Sequence, residues 1–270
     1  MAKIESAFFD IGTLERLADR DNWLSRLDPR AKVVTTLLFV VMVVSSGKYE
    51  VSALLPFFLF PFTLIAVADL PVGYLFKKLL IAAPFAFFVG VFNPFFDPAP
   101  QLQLNGWAIS GGWLSFASIM LRFTLTVSAA LILIATTSFT GVCLALEKLG
   151  APRVFVLQLL FLYRYLFVLI DEGTRLHRAQ TLRSFNGKGR GLKVLGSLLG
   201  QLLLRTLDRA QRIHMAMLCR GFDGEVRMTR RLHIGVREVV FVGGWGATFL
   251  LFRTYNLPQT LGLLVERLIG

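Results

Sequence analysis

The chain has 270 residues, 55% apolar and only 17% charged, with a mean hydropathy of +0.63 and twenty-five phenylalanines. That balance excludes an ordinary soluble domain. Several apolar runs approach the ~20 residues a helix needs to cross a ~30 Å hydrocarbon core, so the chain reads as an all-α polytopic membrane protein. The net charge of +12 would suggest nucleic acid in a soluble protein, but here the basic residues fall between apolar runs. The excess of Lys and Arg on cytoplasmic loops accounts for them without a nucleic-acid partner.

Residues 1–30 are polar and amphipathic; Leu14, Leu17, Trp23, Leu24 and Leu27 form either a face on the membrane surface or a short solvated helix. No apolar core precedes a small-residue cleavage site there, so the first span is expected to act as its own insertion signal. Asp28-Pro29-Arg30 has the chemistry of a helix start, with Asp as cap and Pro at the first helical position. The first span is expected from about Arg30 to Ser46, opening on the cytoplasmic markers Arg30 and Lys32. A turn at Gly47-Lys48-Tyr49-Glu50 leads to the second span, Val51 to Ala68, whose Pro56 and Pro61 are tolerable where neighbouring helices satisfy the freed carbonyls. Asp69-Leu70-Pro71 breaks the helix, and Lys77 and Lys78 mark a cytoplasmic loop before a third span from Leu79 to Phe92.

Residues 93–112 hold no Lys or Arg. They are rich in Asn, Pro and Gly, with Trp107 and Trp113 at interfacial positions, and read as an external loop. The fourth span runs from Trp113 to Phe139 with Arg122 well inside it. A charge at that depth costs at least ~2.5 kcal/mol, so Arg122 is either a subunit or substrate contact or a packed, hydrogen-bonded structural residue. The second is the commoner outcome. Thr140 to Gly150 reads as a short amphipathic helix.

Between Glu147 and Glu238 lie seventeen of the twenty-nine Lys and Arg residues. Residues 154–170 are nearly all apolar and would serve as a fifth span. However, Arg164 sits in the middle, and Arg164, Asp171, Arg175 and Arg178 recur on one helical face. A long helix at the cytoplasmic boundary therefore fits better. Asn186 to Gly191 is a hairpin loop. A second helix spans Leu192 to Arg220, with Leu195, Leu199, Leu202, Thr206, Ala210, Ile213 and Met217 as a near-heptad seam. Arg205, Arg209, Arg212 and Arg220 follow the opposite face. Gly221 suits the left-handed cap that ends a helix. A further cluster, Arg227, Arg230, Arg231 and Arg237, precedes a last span from Val239 to Phe252 and a tail. The division is thus 1–139, the amino-terminal segment and four spans; 140–238, a cytoplasmic helical module; and 239–270, the last span and tail. In all, about five membrane helices are expected.

No phosphate-binding loop, His-Glu-x-x-His or Gly-x-Ser-x-Gly occurs, so neither ATP binding nor catalysis is expected of this chain. His177, His214 and His233 lie among arginines that disfavour a bound cation. Cys143 and Cys219 are far apart, lack metal-ligand spacing and lie where thiols stay reduced. No cofactor or metal site is expected. What remains is a pair of helix endings, Leu182-Arg183-Ser184 and Cys219-Arg220-Gly221. Each presents an Arg fork suited to a partner's carboxylates at any physiological pH. The alternative is that both are ordinary basic residues of a cytoplasmic loop.

Cys219-Arg220-Gly221-Phe222-Asp223-Gly224, preceded by Met215-Ala216-Met217, resembles the second signature of the transmembrane T component of energy-coupling factor (ECF) transporters, and Leu182-Arg183-Ser184 resembles the first. Asp28-Pro29-Arg30-Ala31-Lys32 is similar to that family's entry into its first span, and Phe92-Asn93-Pro94-Phe95-Phe96-Asp97 to the external loop of its cobalt-type branch. The family's motifs usually begin with Ala, where this chain has Leu182 and Cys219. The resemblance implies a non-catalytic coupling subunit in the plasma membrane of a prokaryote. Two ATP-binding-cassette ATPase subunits would dock at Arg183, Ser184, Arg220 and Gly221, with Arg175, Arg178, Arg205, Arg209 and Arg212 as a secondary basic face. A small integral-membrane subunit would bind the substrate, Co²⁺ or its competitor Ni²⁺. A vitamin transporter of the same kind, a conventional ABC permease, a membrane-embedded enzyme and an unrelated scaffold are the competing readings; the last three lack the paired Arg signatures or need in-membrane ligands.

Overall fold

Local capping chemistry sets the helix boundaries. In the computed structural model the Asp28 carboxylate accepts a hydrogen bond from the Arg30 amide at 2.9 Å, and Pro29 occupies the first helical position, as expected. The structure describes residues 15, 17–18, 22–47, 51–96, 100–104, 107–184, 191–224 and 235–254. Helices α1 (Trp23–Arg26), α2 (Pro29–Val44) and α3 (Val51–Leu54) lead through a 3-10 turn (Leu55–Phe58) to α4 (Leu59–Val67), α5 (Val72–Val91) and α6 (Asn93–Phe96). Strands β1 (Pro100–Leu104) and β2 (Trp107–Ser110) pair antiparallel. Helices α7 (Gly111–Thr137), α8 (Phe139–Lys148), α9 (Arg153–Arg183), α10 (Leu192–Cys219) and α11 (Val236–Thr254) follow. The all-α expectation holds, with the one hairpin inside the polar 93–112 segment.

The chain divides into two compact units, Met1–Ala145 with Leu232–Gly270, and Leu146–Arg231. Among the described residues, α5, α7 and α9 are long and apolar enough to cross a membrane by length and composition. Two of these are the expected third and fourth spans; the third is the helix read above as a boundary helix. The expected first and last spans form helices of 16 and 19 residues.

In the first unit, α2 packs against α7 and α11, and α5 and α6 pack against α7. An aromatic cluster joins α2, the 3-10 turn, α4 and α11. Phe39, Phe57, Phe60 and Phe249 are all fully buried. The Phe39 ring lies 4.6 Å from Phe60 and 5.4 Å from Phe249, and Trp245 meets Phe60 edge-on at 4.9 Å. Each such pair adds about 0.5–1.5 kcal/mol beyond area burial.

Polar groups close the helix ends inside this core. Lys32, only 4% exposed, donates from Nζ to the carbonyl of Thr136 at 2.8 Å, placing a cation on the carboxyl end of α7. Arg122 donates from Nη2 to the carbonyls of Ser46 (2.9 Å) and Gly47 (2.6 Å), just past the end of α2. This is the structural reading of Arg122: a guanidinium inside α7 satisfies carbonyls that the end of α2 leaves without helical partners. Arg253 reaches the same turn, donating to the Ser45 and Ser46 hydroxyls at 3.3 and 3.4 Å.

The expected second span is helical from Val51 to Val67 and accommodates its prolines: Pro56 cannot donate an amide hydrogen bond, and residues 55–58 tighten into a 3-10 turn. Two expectations need correction. Lys77 and Lys78 are not in a loop. The helix stops at Val67, Asp69 takes a positive φ of 47°, and α5 restarts at once behind Pro71, so both lysines lie in its second turn. Lys78 stacks over the Tyr74 ring at 5.4 Å. The second correction, to the seam of α10, is given below.

The 93–112 segment is pinned to α7 by a close backbone approach. A Cβ at Gly112 would lie 2.5 Å from Pro94 Cα and 2.7 Å from the Asn93 carbonyl, so only glycine fits. Asn93 Nδ2 donates to Ser115 Oγ at 2.9 Å beside it. The loop expected at Asn186 to Arg190, the turn residues Lys48 to Glu50, the arginines 227, 230 and 231, and the tail beyond residue 254 lie outside the described residues.

Candidate functional site

The second unit is built on α9 and α10, which pack against each other. A Cβ on Gly173 would stand 4.0 Å from Leu202 Cδ2, so the two helices meet there. One turn away, Arg205 Nη1 donates to Glu172 Oε1 across the pair. From Gly173 the helix α9 runs ten residues to Arg183, about 15 Å at helical rise, and α10 runs the same ten residues back from Leu202 to Leu192. Equal arms joined by the short 184–191 connection make a helical hairpin. Arg220 lies eighteen residues beyond Leu202 in the other direction, about 27 Å along α10. The two arginine endings therefore stand at opposite ends of the pair.

The half-buried residues of α10 are Val194, Leu198, Leu202, Thr206, Ile213 and Met217. The expected seam is right from Leu202 onward except at Ala210, which is exposed. Before Leu202 it is one position off, because Leu195 and Leu199 are 54% and 58% exposed. Among the described residues the half-buried positions recur every four residues from 194 to 206 and then at 213 and 217, so the pattern before Leu202 departs from the heptad. Arg164, Asp171, Arg175 and Arg178 are all exposed along α9, as expected from their spacing. On α10, Arg209 and Arg212 are exposed as well. Arg205, expected as one more free basic residue, is instead tied to Glu172, a pairing that no local spacing on either helix reveals.

The two endings are terminated by different means. At the first, Ser184 leaves the helix in an extended conformation (φ −89°, ψ 99°), its amide donating to the Gln180 carbonyl at 3.0 Å and its hydroxyl to the Thr181 carbonyl at 3.0 Å. At the second, Gly221 takes a φ of +74°. Its amide donates to the Leu218 carbonyl, and the Phe222 amide to the Met217 carbonyl, both at 3.0 Å. These are the two bonds of a Schellman cap, as the glycine predicted. The same pair of bonds recurs at the end of α8, where Gly150 has a φ of +111°.

Arg183 and Arg220 are both exposed, and neither guanidinium makes a hydrogen bond or ion pair among the described residues. Ser184 is half-buried and Gly221 exposed. Leu182, beside the first arginine, is 80% exposed. Among the described residues each ending therefore carries an exposed guanidinium with no partner, and the first has exposed apolar surface beside it. No group of three or more His, Cys, Asp or Glu side chains converges among the described residues. Cys143 is buried, which pushes its thiol pKa up, whereas Cys219 at the second ending is exposed.

Similarity to known proteins covers this whole arrangement. Residues 20–230 match the family CbiQ, described as cobalt transport protein. The cobalt transport protein CbiQ of Salmonella typhimurium is 31% identical over 141 residues, 48% of this chain and 63% of that protein. The energy-coupling factor transporter transmembrane protein EcfT of Leuconostoc gelidum is 26% identical over 210 residues, 72% of this chain and 78% of its own length. EcfT of Streptococcus thermophilus is 24% identical over 178 residues, 60% of this chain and 65% of the relative. With the family match spanning both Arg endings and most of the first unit, the chain belongs to the CbiQ family of cobalt transport proteins.

Proposed function

We propose that this chain, a membrane component of a cobalt or energy-coupling factor transporter, is the subunit that couples ATPase motion to substrate release. The observation that carries the reading is the pair of exposed, unpaired arginines Arg183 and Arg220 at opposite ends of one helical hairpin. Points on the order of 40 Å apart along the pair suit two separate acidic grooves better than one. Two ATP-binding-cassette subunits, one at each ending, would supply them. Closing of the ATPases on ATP would draw the two endings together. The packed α9–α10 pair would pass that motion to a small integral-membrane subunit that holds the substrate. Arg175, Arg178, Arg209 and Arg212 extend the basic face along the same helices, while Arg205 pairs with Glu172 across the hairpin.

In this reading the chain is non-catalytic, α9 and α10 face the cytoplasm, and the membrane is the plasma membrane of a prokaryote. Co²⁺ is the proposed substrate, carried by the partner subunit, and the name borne by the Salmonella relative supports it. The test is a mild-detergent pull-down of the chain from its native membrane with mass spectrometry of what comes with it. An ATP-binding-cassette ATPase together with a small polytopic protein is the expected result. Recovery of the chain alone, or of an ATPase with a soluble binding protein, would overturn the reading.

A further inference from the structure

The first unit carries an open groove of about 560 Å³, within the ~300–1,000 Å³ range of small-molecule sites. One wall is Trp23, from α1; another is Leu59, at the start of α4. The floor is one face of α11: Arg237, Val240, Phe241, Gly244, Trp245 and Thr248 recur at three- and four-residue steps. Among the described residues nothing lies within 4 Å of where a Cβ on Gly244 would stand, so none of them covers this face. The Thr248 hydroxyl is spent on the Gly244 carbonyl of its own helix at 2.8 Å and presents no free donor.

The groove is polar only at one end. There Arg237 is exposed, and its guanidinium makes no hydrogen bond or ion pair among the described residues. The neighbouring Glu238 carboxylate accepts from the Gly235 amide at 2.8 Å and feels the Arg237 charge, but forms no ion pair with it. Trp23, 53% exposed, stacks edge-on against Phe241 at 6.5 Å near the same end, as a tryptophan at a membrane–water interface does. From Arg237 to Thr248 the floor is eleven residues long, about 17 Å. That is close to one leaflet, half of a ~30 Å hydrocarbon core.

An apolar channel one leaflet long with a single unpaired cation at its mouth matches one molecular class. We infer that the groove binds an anionic phospholipid, with an acyl chain along Gly244 and Trp245 and the phosphate at Arg237. The inference needs only that the first unit sits in a bilayer and is independent of the coupling role. Basic pockets between membrane helices are known to select acidic headgroups in this way.

Trp23 and Trp245 report on the site. The full chain, with Trp107 and Trp113 replaced by Phe, is reconstituted in phosphatidylcholine vesicles. A matched fraction of the lipid is then replaced by phosphatidylglycerol or phosphatidylcholine carrying brominated acyl chains, which quench tryptophan on contact. Brominated phosphatidylglycerol should associate about fivefold more strongly, the effect of one arginine near an acidic surface. Arg237→Gln should remove that preference and Arg237→Lys keep it. Gly244→Leu, which fills the open floor, should cut quenching by both lipids. Equal quenching by the two lipids, a preference that survives Arg237→Gln, or no quenching by either because a protein segment covers the face would each overturn the inference.

Discussion

Gly221→Ala tests how the second arginine ending is held. The residue sits at φ +74°, where an L side chain costs about 1–2 kcal/mol. No atom of the described residues lies within 4 Å of the added Cβ, so backbone strain carries the effect. Alanine also narrows the unfolded ensemble, but at a positive φ the strain outweighs that gain. The strain can be relieved only by opening the cap, which releases the Gly221 and Phe222 amides from the Leu218 and Met217 carbonyls. A loss of 1–2 kcal/mol corresponds to about a 5–30-fold change in the closed-to-open ratio. Amide hydrogen exchange at residues 221 and 222 should accelerate by that factor, with the middle of α10 unchanged. Gly221→Asn should fall between, because Asn tolerates the left-handed region better than other L residues. Gly196→Ala, in the open interior of the same helix, should be neutral or stabilising by about 0.5–1 kcal/mol. Unchanged exchange in Gly221→Ala, or faster exchange in Gly221→Asn than in Gly221→Ala, would refute the reasoning.

Three further outcomes follow from single contacts. Gly112→Ala forces its Cβ into the Asn93-Pro94 backbone and should destabilise the first unit by about 1–3 kcal/mol, seen as a lower Tm in detergent; an unchanged Tm would remove the close approach. Maleimide should label Cys219 rapidly and Cys143 slowly at neutral pH, since burial both shields Cys143 and raises its thiol pKa. The Cys219→Ser variant should therefore label slowly, and its rate should rise as the pH is raised; rapid labelling of that variant at neutral pH would refute the burial of Cys143. A double-mutant cycle on Glu172→Gln and Arg205→Gln should return a coupling of about 0.2–1 kcal/mol, the range for exposed pairs; zero coupling would make the pair incidental.

What was legible in the sequence was whatever depends on a few adjacent residues. Asp28-Pro29 announces a helix start, and Gly150 and Gly221 announce helix ends, because capping is satisfied within one turn. The exposure of Arg164, Asp171, Arg175 and Arg178 followed from spacing alone. The features that escaped depend on a distant partner. Arg122 finds the carbonyls of Ser46 and Gly47 some seventy-five residues away, and Lys32 finds Thr136 a hundred and four residues away. Glu172 meets Arg205 only once α9 and α10 cross. The seam of α10 departs for the same reason: a heptad assumes one continuous partner along the helix, and which positions before Leu202 are covered depends on where α9 meets it. Lys77 and Lys78 look like loop markers by charge, yet α5 restarts directly after Pro71 and takes them in.

The coupling role rests on Arg183 and Arg220, and charge reversal tests it most directly. Both side chains are exposed and without a partner among the described residues, so Arg183→Glu and Arg220→Glu should leave insertion intact and shift folding stability by no more than about 0.5 kcal/mol. If each guanidinium is buried against an acidic groove of an ATPase, each reversal should weaken docking by about 2–5 kcal/mol. The two sites are far enough apart for the losses to add. The decisive measurement is binding of the purified ATPase to the reconstituted double variant, with ATP-driven uptake measured in parallel. The account predicts that both are nearly abolished while the variant remains folded in the membrane. Wild-type binding and uptake by the double variant would contradict it.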